Sequence, residues 1–339
     1  MKALQAGLIG FGLSGRTFHK PLLEAAGIPV VACAVRNLAH QGPVDDLRFC
    51  SIEDLLSDDT VNLVVVASPN PLHEEHALQA IQAGKHVVIE KPLATTKAGA
   101  ERIVRAARQA HGQRITVFQS RRLDGDFLTL ASVLKDTFAG EWSILESRWG
   151  MAKPMAQGRW KDQEALGGGL LMDFFPHLLD QALVLNGLPD SITLEKAYQR
   201  ENTAGADYLS ATLRYGERRA RLSVDCFSPK PGHRFRLAGS PGDWRCFGVD
   251  PQEARLHAGL SPLDETFSAP GDDQSERLCL FDGSERSLSL RQGDYLGFYR
   301  KLKAAIETED DVPVSIEDAA RVVSIIEALG ETGVWLPDT

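Results

Sequence analysis

The sequence predicts an α/β domain with a doubly wound parallel sheet, followed by an α+β domain with a largely antiparallel sheet. In the first part of the chain, continuous apolar runs alternate with helical segments as far as Phe118, which is typical of parallel strands joined by helices. From about Asp124 this alternation stops, and apolar residues alternate with polar ones instead. We therefore expect one domain over residues 1–122 and a second over residues 123–339.

The first apolar run ends at Ile9 in a turn with the pattern G-x-G-x-x-G, and a helical segment follows. Gly10 permits the tight turn, Gly12 lets a pyrophosphate approach the backbone, and Gly15 lets the helix pack closely on the strand. The N–H groups at the start of the helix then face the phosphates. The alternative is a glycine-rich loop of another α/β protein. We interpret the turn as a dinucleotide site formed by Gly10, Phe11, Gly12, Leu13, Ser14 and Gly15.

The residue after the second predicted strand bears on the choice of cofactor. That strand runs from Val30 to Val35, and a dinucleotide fold usually places an acid at its end to bind the ribose 2′-hydroxyl. Here Arg36 follows the strand, and the first carboxylate after it is Asp45. A guanidinium pairs with a 2′-phosphate, whereas an acid repels it. We predict NADP as the cofactor, with NAD as the alternative if Arg36 is only a solvated loop residue.

The rest of the first domain continues the alternation of strands and helices. Helices are expected from the capping box at Ser51 onward and over residues 73–83 and 96–110, and strands over residues 61–67, 86–89 and 115–118. Ligands in such sheets bind at the carboxyl ends of the strands. This rule predicts one edge that carries the glycine turn together with Pro69, Asn70, His73, Lys91 and the pair Arg121–Arg122.

The second domain contains fewer helical segments and more alternating ones. We expect a helix over residues 127–134, a strand over 142–149, a hairpin over 209–226 and a strand over 234–238. Residues 248–284 are rich in Pro, Gly and Asp, which predicts a long irregular surface segment. Helices are expected over residues 299–306 and 315–329, the last one capped at Ser315 and ending at Gly330.

One segment of the second domain carries residues suited to chemistry. Asp173 and His177 are four positions apart, so on a continuous helix they share a face, and Asp180 falls on that face one turn further. A carboxylate beside a histidine holds the imidazole and raises its basicity, as a general base requires. The alternative is a helix-start acid with a structural histidine. A metal site is a poorer interpretation, because no further ligands cluster nearby in the sequence.

Composition excludes several classes of function. The net charge of −9 argues against a nucleic-acid surface. No apolar run approaches the ~20 residues that span a bilayer, and the chain enters its first strand without room for a signal peptide. The 5 cysteines are odd in number and scattered, which favours reduced thiols. We therefore expect a cytoplasmic protein that binds neither nucleic acid nor membrane and has no metal site.

Four motifs follow one another along the chain. They are the glycine turn, Ser68-Pro69-Asn70-x-x-His73, Glu90-Lys91-Pro92, and Gly167-Gly168-Gly169-x-Leu171-x-Asp173-x-x-x-His177-x-x-Asp180. In this order and spacing they resemble the Gfo/Idh/MocA family, named for glucose–fructose oxidoreductase and inositol dehydrogenase. The stretches around Phe18, Arg121–Leu128 and Arg159–Trp160 look like the branch that contains NADP-dependent scyllo-inositol dehydrogenases. The resemblance covers nearly the whole chain.

The resemblance implies an N-terminal Rossmann domain and a C-terminal α+β domain whose open sheet often forms the interface of a homodimer or homotetramer. It also implies hydride transfer between NADP or NAD and a hydroxyl or carbonyl carbon of a sugar, polyol or inositol-like substrate. By the same resemblance, Lys91 hydrogen-bonds the reacting oxygen and helps to position the nicotinamide. His177 is then the acid/base, and Asp173 binds substrate or orients His177. A cis bond is common in the family at the Lys91–Pro92 position.

The resemblance also implies two sets of binding residues. Beyond the glycine turn and Arg36, the cofactor set comprises Ser68, Pro69, Asn70, His73, Glu90, Lys91, Arg159 and Trp160. The substrate set comprises Lys91, Arg122, Asp173, Phe175 and His177.

Two positions depart from the pattern of the family. Phe175 stands in a segment where the branch has a glycine and a small residue, so its ring would narrow the pocket or add an apolar wall. Val35 replaces a small hydroxyl residue that many NADP-using relatives have before the arginine. Two alternatives follow: an enzyme of the same scaffold that acts on a less polar carbonyl compound, or a non-catalytic regulator that senses a dinucleotide or sugar. The presence together of Lys91, Asp173 and His177 favours an enzyme.

Overall fold

The structure, a computed structural model, describes residues 3–36, 47–156, 158, 163–164, 168–230 and 232–337. The chain forms two compact units, each made of several stretches of sequence. The first comprises Met1–Ser120, Gln252–Phe267 and Asp294–Val323, and the second comprises Arg121–Pro251, Ser268–Gly293 and Ser324–Thr339. The sequence-based division after residue 122 lies close to the first change of unit, but it does not include the two later stretches that pack with the first unit.

The first unit contains a six-stranded sheet in the order β3-β2-β1-β4-β5-β6. Its strands are β1 Ala6–Ile9, β2 Val30–Ala34, β3 Arg48–Cys50, β4 Leu63–Val66, β5 His86–Glu90 and β6 Ile115–Phe118. All adjacent pairs are parallel, and the strand order reverses between β1 and β4. Strands β1, β4 and β6 are buried along their whole length, as a sheet covered on both faces requires. The predicted doubly wound parallel sheet is confirmed.

The helices of the described chain follow the expected positions in most cases. They are α1 Lys20–Ala25, α2 Ile52–Ser57, α3 His73–Gln82, α4 Lys97–Gln109, α5 Gly125–Ser132, α6 Leu170–Asp173, α7 Phe175–Asn186, α8 Gln252–His257, α9 Tyr295–Thr308 and α10 Ile316–Thr332. The capping box is present, because the Ser51 hydroxyl accepts a 3.0 Å hydrogen bond from the Asp54 N–H and the Asp54 carboxylate accepts from the Ser51 N–H. Gly330 lies inside α10, so the predicted end there is wrong. None of the helices described here is long and apolar enough to cross a membrane.

The second unit contains a nine-stranded sheet in the order β14-β13-β12-β11-β7-β10-β9-β8-β15. Its strands are β7 Trp142–Gly150, β8 Ser191–Ala197, β9 Tyr208–Tyr215, β10 Arg218–Asp225, β11 Phe235–Gly239, β12 Gly242–Phe247, β13 Ser275–Cys279, β14 Glu285–Arg286 and β15 Val334–Trp335. Strands β7 and β10 pair in parallel, and the other pairs are antiparallel. Alternate residues of β9 and β10 are buried, such as Leu209, Ala211 and Leu213 in β9. The predicted hairpin and largely antiparallel sheet are confirmed.

The prediction of an irregular segment over residues 248–284 is wrong for two stretches within it, and the rest of the segment is irregular. This segment contains helix α8 and strand β13, and β13 pairs with β12 over its full length. Glu276 and Leu278 are the buried positions of β13, and the Glu276 carboxylate accepts a 2.8 Å hydrogen bond from the indole N–H of Trp244. Because one of the two buried positions is a glutamate, the strand shows no apolar alternation. The sequence pattern therefore conceals it.

Candidate active site

Four loops of the first unit meet the same edge of its sheet. The glycine turn follows β1, Arg36 lies two residues after β2, Ser68 follows β4, and Lys91 follows β5 directly. Since the six strands are parallel, these loops lie at the carboxyl ends of their strands, where doubly wound sheets bind ligands. The peptide bond between Lys91 and Pro92 is cis.

The glycine turn has the geometry that a dinucleotide requires. Gly10 has a φ of +103°, and a Cβ atom there would lie 2.6 Å from the carbonyl oxygen of Ala67. A Cβ at Gly15 would collide with the carbonyl of Gly10, so this position holds the helix against the strand. A Cβ at Gly12, by contrast, would meet no described atom within 4 Å. The turn is thus closed at Gly10 and Gly15 and open at Gly12, as approach of a pyrophosphate to the backbone requires.

A hydrogen-bond network lies beneath this edge and is centred on Glu90. The Glu90 carboxylate accepts hydrogen bonds from the Ser14 hydroxyl, from His19 Nε2 at 3.0 Å and from the backbone N–H of Lys91 at 3.0 Å. His19 Nδ1 lies 2.5 Å from the hydroxyl of Tyr299 in α9. Burial, together with the charge of Glu90, raises the pKa of Tyr299, so the phenol keeps its proton. The His19 ring links this phenol to Glu90.

The network ties the glycine turn to the segment that carries Lys91. Burial acts to raise the pKa of Glu90, but the His19 and Ser14 hydrogen bonds and the nearby charges lower it to about 2. Glu90 is therefore an anion at neutral pH. The Ser14 hydroxyl is committed to this carboxylate, which leaves the backbone of the turn to contact phosphates.

His73, a predicted cofactor residue, contacts the backbone of two neighbouring loops. It is buried, with Nδ1 2.7 Å from the carbonyl oxygen of Pro92 and Nε2 2.8 Å from that of Ser68. His76 Nδ1 lies 2.9 Å from the Ser68 hydroxyl. Burial lowers the pKa of His73, against the opposing effect of the two backbone hydrogen bonds. Both ring nitrogens face protein carbonyls, so His73 lies between the loops after β4 and β5. Its contact with the cofactor stays a prediction.

The other predicted cofactor residues of the first unit are accessible at this edge. Pro69 is exposed, and Asn70 begins a short 3₁₀ turn that leads into α3. Arg36 is exposed as well. Arg159, Trp160 and Gly167 lie outside the described residues.

In the second unit, Asp173 and His177 belong to two successive helices. Asp173 is the last residue of α6, and His177 lies in the first turn of α7. The helix does not continue through Phe174, because Pro176 has no N–H to donate to the preceding turn. The expectation of one continuous helical face is therefore wrong, although the backbone N–H of His177 still bonds the carbonyl of Phe174 at 3.1 Å. Asp173 is half-buried, and His177 keeps 8% of its surface exposed.

Asp180 and Arg122 form an ion pair with each other. Arg122 donates from Nε and from one terminal nitrogen to the two carboxylate oxygens of Asp180, each at 2.7 Å. Asp180 is buried and 16% of the Arg122 side chain is exposed. A bidentate pair of this kind holds the guanidinium in one orientation. Asp180 thus anchors α7 and engages Nε and one terminal nitrogen of Arg122. Contact of Arg122 with a substrate stays a prediction.

The two phenylalanines at the start of α7 differ in their surroundings. Phe175, a predicted substrate residue, is 0% exposed and belongs to the core. Phe174 is half-buried, and the centroid of its ring lies 5.7 Å from that of Trp149. The Nζ atom of Lys153 lies 5.6 Å from the Phe174 ring centroid. The aromatic surface beside Asp173 is therefore made by Phe174 and Trp149. Neither residue belongs to a sequence motif, and only their contact in the folded structure identifies them as this surface.

Trp149 is itself held by charged neighbours. The guanidinium carbons of Arg121 and Arg234 lie 4.6 and 4.7 Å from its ring centroid. Arg234 in turn donates to the Ser147 hydroxyl at 2.8 Å and to Gln181 at 3.1 Å. Within the described ranges, no group of three or more His, Cys, Asp or Glu side chains is arranged to hold a metal ion.

Two family models match most of the chain. The model described as "oxidoreductase family, NAD-binding Rossmann fold" matches residues 4–118. The model described as "oxidoreductase family, C-terminal alpha/beta domain" matches residues 140–332.

Known proteins match over nearly their whole length. The chain is 32% identical over 336 residues to scyllo-inositol 2-dehydrogenase (NADP(+)) IolW of Bacillus subtilis (strain 168), covering 97% of this chain and 93% of that protein. It is 34% identical over 332 residues to YdgJ of Escherichia coli (strain K12), an uncharacterized oxidoreductase, covering 96% and 94%. The solved structure of yvaA from Bacillus subtilis, described as an oxidoreductase, matches with a TM-score of 0.92 at 31% identity and covers 99% of both chains.

Proposed function

The chain belongs to the Gfo/Idh/MocA oxidoreductase family, and we propose that it transfers a hydride between NADP and a hydroxyl or carbonyl carbon of a sugar, polyol or inositol-like substrate. The observation that carries the proposal is the placement of Lys91. It follows β5 at the sheet edge that holds the glycine turn, and Glu90 joins the two through hydrogen bonds to Ser14 and to the Lys91 N–H.

The proposed chemistry separates a proton and a hydride from one carbinol. A bound nicotinamide cofactor accepts or supplies the hydride. The hydroxyl proton must leave the oxygen as the hydride leaves the carbon, and a histidine is suited to this transfer near neutral pH. We assign the proton transfer to His177 and the orientation of His177 or of the substrate to Asp173. The Lys91 ammonium stabilises the negative charge that develops on the oxygen.

The cofactor assignment rests on two features of the first unit. The open side of the glycine turn at Gly12 and the N–H groups at the start of the following helix suit a pyrophosphate. The exposed guanidinium of Arg36 after β2 suits a 2′-phosphate, since no acid occupies that position. The NADP dependence in the name of the Bacillus subtilis relative supports the same choice.

A binding and turnover experiment tests the proposal. NADPH and NADH are titrated into the purified protein by fluorescence, and each complex is then offered inositols, aldoses and their keto forms. We expect tighter binding of NADPH and turnover of at least one polyol–ketone pair. Binding without turnover on every polyol would contradict the substrate class. No binding of either nucleotide would contradict the dinucleotide site itself.

We also propose that the chain assembles as a homodimer or homotetramer through the nine-stranded sheet, as its family resemblance implies. Light scattering coupled to size exclusion gives the mass of the particle directly. A monomeric mass at micromolar concentration would contradict the assembly.

A further inference from the structure

Arg16 follows the third glycine of the turn directly and is exposed. It lies in the π-helical turn Ser14–His19 that precedes α1, and its N–H donates to the carbonyl of Gly12 at 3.1 Å. Its guanidinium carbon lies 5.2 Å from the centroid of the Phe11 ring. Among the residues that the structure describes, no carboxylate forms an ion pair with Arg16 or with Arg36. Lys20, the next cation along the chain, does form one, with Glu24 at 2.7 Å.

The Phe11 ring shows on which side of the glycine turn this guanidinium lies. Phe11 packs against Phe49 of β3, with ring centroids 5.6 Å apart. Phe49 is in register with Cys33 of β2, so Arg16 lies over the flank formed by β2 and β3. The opposite flank is the one where Ser14 reaches Glu90 at the end of β5.

Arg36 belongs to the same flank as the Phe11 ring. The N–H of Gly10 donates to the carbonyl of Ala34 at 2.9 Å, which joins the turn to the end of β2. Arg36 is two residues beyond Ala34, the last residue of β2. Arg16 and Arg36 therefore belong to adjoining segments on the β2 side of the turn.

This flank is where a dinucleotide fold receives the adenosine ribose. A 2′-phosphate brings close to two negative charges and several acceptor oxygens, and guanidinium groups bind such an anion through paired N–H groups. We propose that Arg16 acts beside Arg36 as a second ligand of the 2′-phosphate and so determines the specificity for NADP over NAD. The inference rests on the proposed function and names a residue outside the G-x-G-x-x-G pattern.

A purely structural role for Arg16 makes a different prediction. If the guanidinium only packs on Phe11, its loss perturbs the glycine turn and weakens NADPH and NADH alike. If it binds the 2′-phosphate, its loss weakens NADPH and leaves NADH unchanged. The ratio of the two dissociation constants therefore separates the roles.

The test measures binding, without turnover, of two matched pairs: NADPH with NADH, and 2′-phospho-ADP-ribose with ADP-ribose. The variants are Arg16→Gln, Arg16→Lys and Arg36→Gln, and the control is Lys20→Gln, which removes a cation that already has a carboxylate partner. We expect Arg16→Gln to weaken both phosphorylated ligands about tenfold and to leave the other two within about twofold. Arg16→Lys keeps the positive charge but not the paired N–H groups of the guanidinium, so we expect a smaller loss of affinity for the phosphorylated ligands. We expect Lys20→Gln to leave the affinity for all four ligands unchanged.

Each contrary outcome has a distinct meaning. Selective loss in Arg36→Gln but not in Arg16→Gln overturns the role of Arg16 and leaves the NADP preference standing. Equal loss of all four ligands in Arg16→Gln, with a lowered Tm, assigns Arg16 to structure and overturns the inference. A wild-type protein that binds each pair equally overturns the NADP preference of the proposed function, whatever Arg16 does.

Discussion

Two carboxylates, one in each unit, are withdrawn from water and differ in the direction of their pKa shifts. The Glu90 side chain is 14% exposed and that of Asp126 is 0% exposed. Burial acts to raise the pKa of both, yet the pKa of Glu90 falls to about 2 whereas the pKa of Asp126 is raised. Each has a cationic or basic side chain nearby, namely Lys91 and His19 for Glu90 and Arg234 for Asp126. The charges nevertheless differ, because the Asp250 carboxylate near Asp126 raises the pKa of Asp126, whereas the His19 and Lys91 charges lower that of Glu90.

Hydrogen-bond donors add to the difference in pKa between the two carboxylates. Three groups donate to Glu90 from the glycine turn, from His19 and from the Lys91 backbone. Asp126 accepts one hydrogen bond, from the Phe127 N–H at 2.7 Å, and its Oδ2 lies 3.7 Å from Arg234 Nε, which is an ion-pair distance but not a hydrogen bond. A buried carboxylate stays ionised when donors replace the water it has lost. The surroundings of Glu90 therefore keep a negative charge next to Lys91.

The largest effect is expected at the lysine that Glu90 supports. Lys91→Ala removes the cation that stabilises charge on the reacting oxygen, so we expect turnover to fall about 10³-fold. Cofactor affinity stays within a few-fold, because the phosphate contacts are elsewhere. Steady-state kinetics and a fluorescence titration measure the two effects. Lys97→Ala, at the first residue of α4, is the control and keeps full activity; unchanged turnover in Lys91→Ala would remove Lys91 from the mechanism.

Glu90→Gln tests the ionised half of the comparison. A neutral amide cannot balance three donors, so we expect the free energy of unfolding at pH 7 to fall by about 3 kcal/mol. A glutamate whose folded pKa is about 2 gives stability that is present above its unfolded pKa of about 4.3 and lost as pH falls toward 2. The wild type therefore loses more stability than the variant between pH 4.5 and 2. Urea unfolding across this range measures both, and parallel pH curves would contradict the assignment.

His177→Asn tests whether the second unit also contributes a working titratable group. We expect turnover in the oxidative direction to fall about 100-fold, because the proton acceptor is lost. The pH–rate profile should also lose its acid limb, since asparagine does not take up a proton at low pH. His111→Asn, at an exposed loop histidine, is the matched control and keeps both rate and profile. An acid limb that survives in His177→Asn would assign the base to another residue.

The sequence predicts those parts of the molecule whose structure depends on residues that are neighbours along the chain. The glycine turn is of this kind, because the strand, the turn and the helix are contiguous from Ala6 to Ala25. The Glu90 network is not, since Tyr299 joins His19 across 280 positions of sequence. The strand around Glu276 was hidden because a buried glutamate there is satisfied by Trp244, a partner 32 positions away.

The aromatic pair at the start of α7 shows the same limit for the candidate site. Phe174 and Phe175 are adjacent and chemically identical, so composition and spacing treat them alike. Phe175 packs in the core, whereas the Phe174 ring lies beside Trp149. Their roles depend on side-chain direction, which is a property of the packed fold.

Asp126→Asn is expected to give the smallest effect and the opposite sign with pH. The amide keeps the acceptor that bonds the Phe127 N–H, and Arg234 keeps Ser147 and Gln181 as partners. We therefore expect the free energy of unfolding at pH 7 to stay within about 1 kcal/mol of the wild type. An aspartate whose folded pKa is raised costs stability as pH rises above its unfolded pKa of about 3.9. The variant should accordingly gain stability relative to the wild type as pH rises above about 4, whereas Glu90→Gln is less stable than the wild type at pH 7. If Asp126→Asn instead lowers the free energy of unfolding at pH 7 by about 3 kcal/mol or more, the ion pair at 3.7 Å stabilises a buried carboxylate as well as direct donors do. The two carboxylate sites would then not differ in the way described.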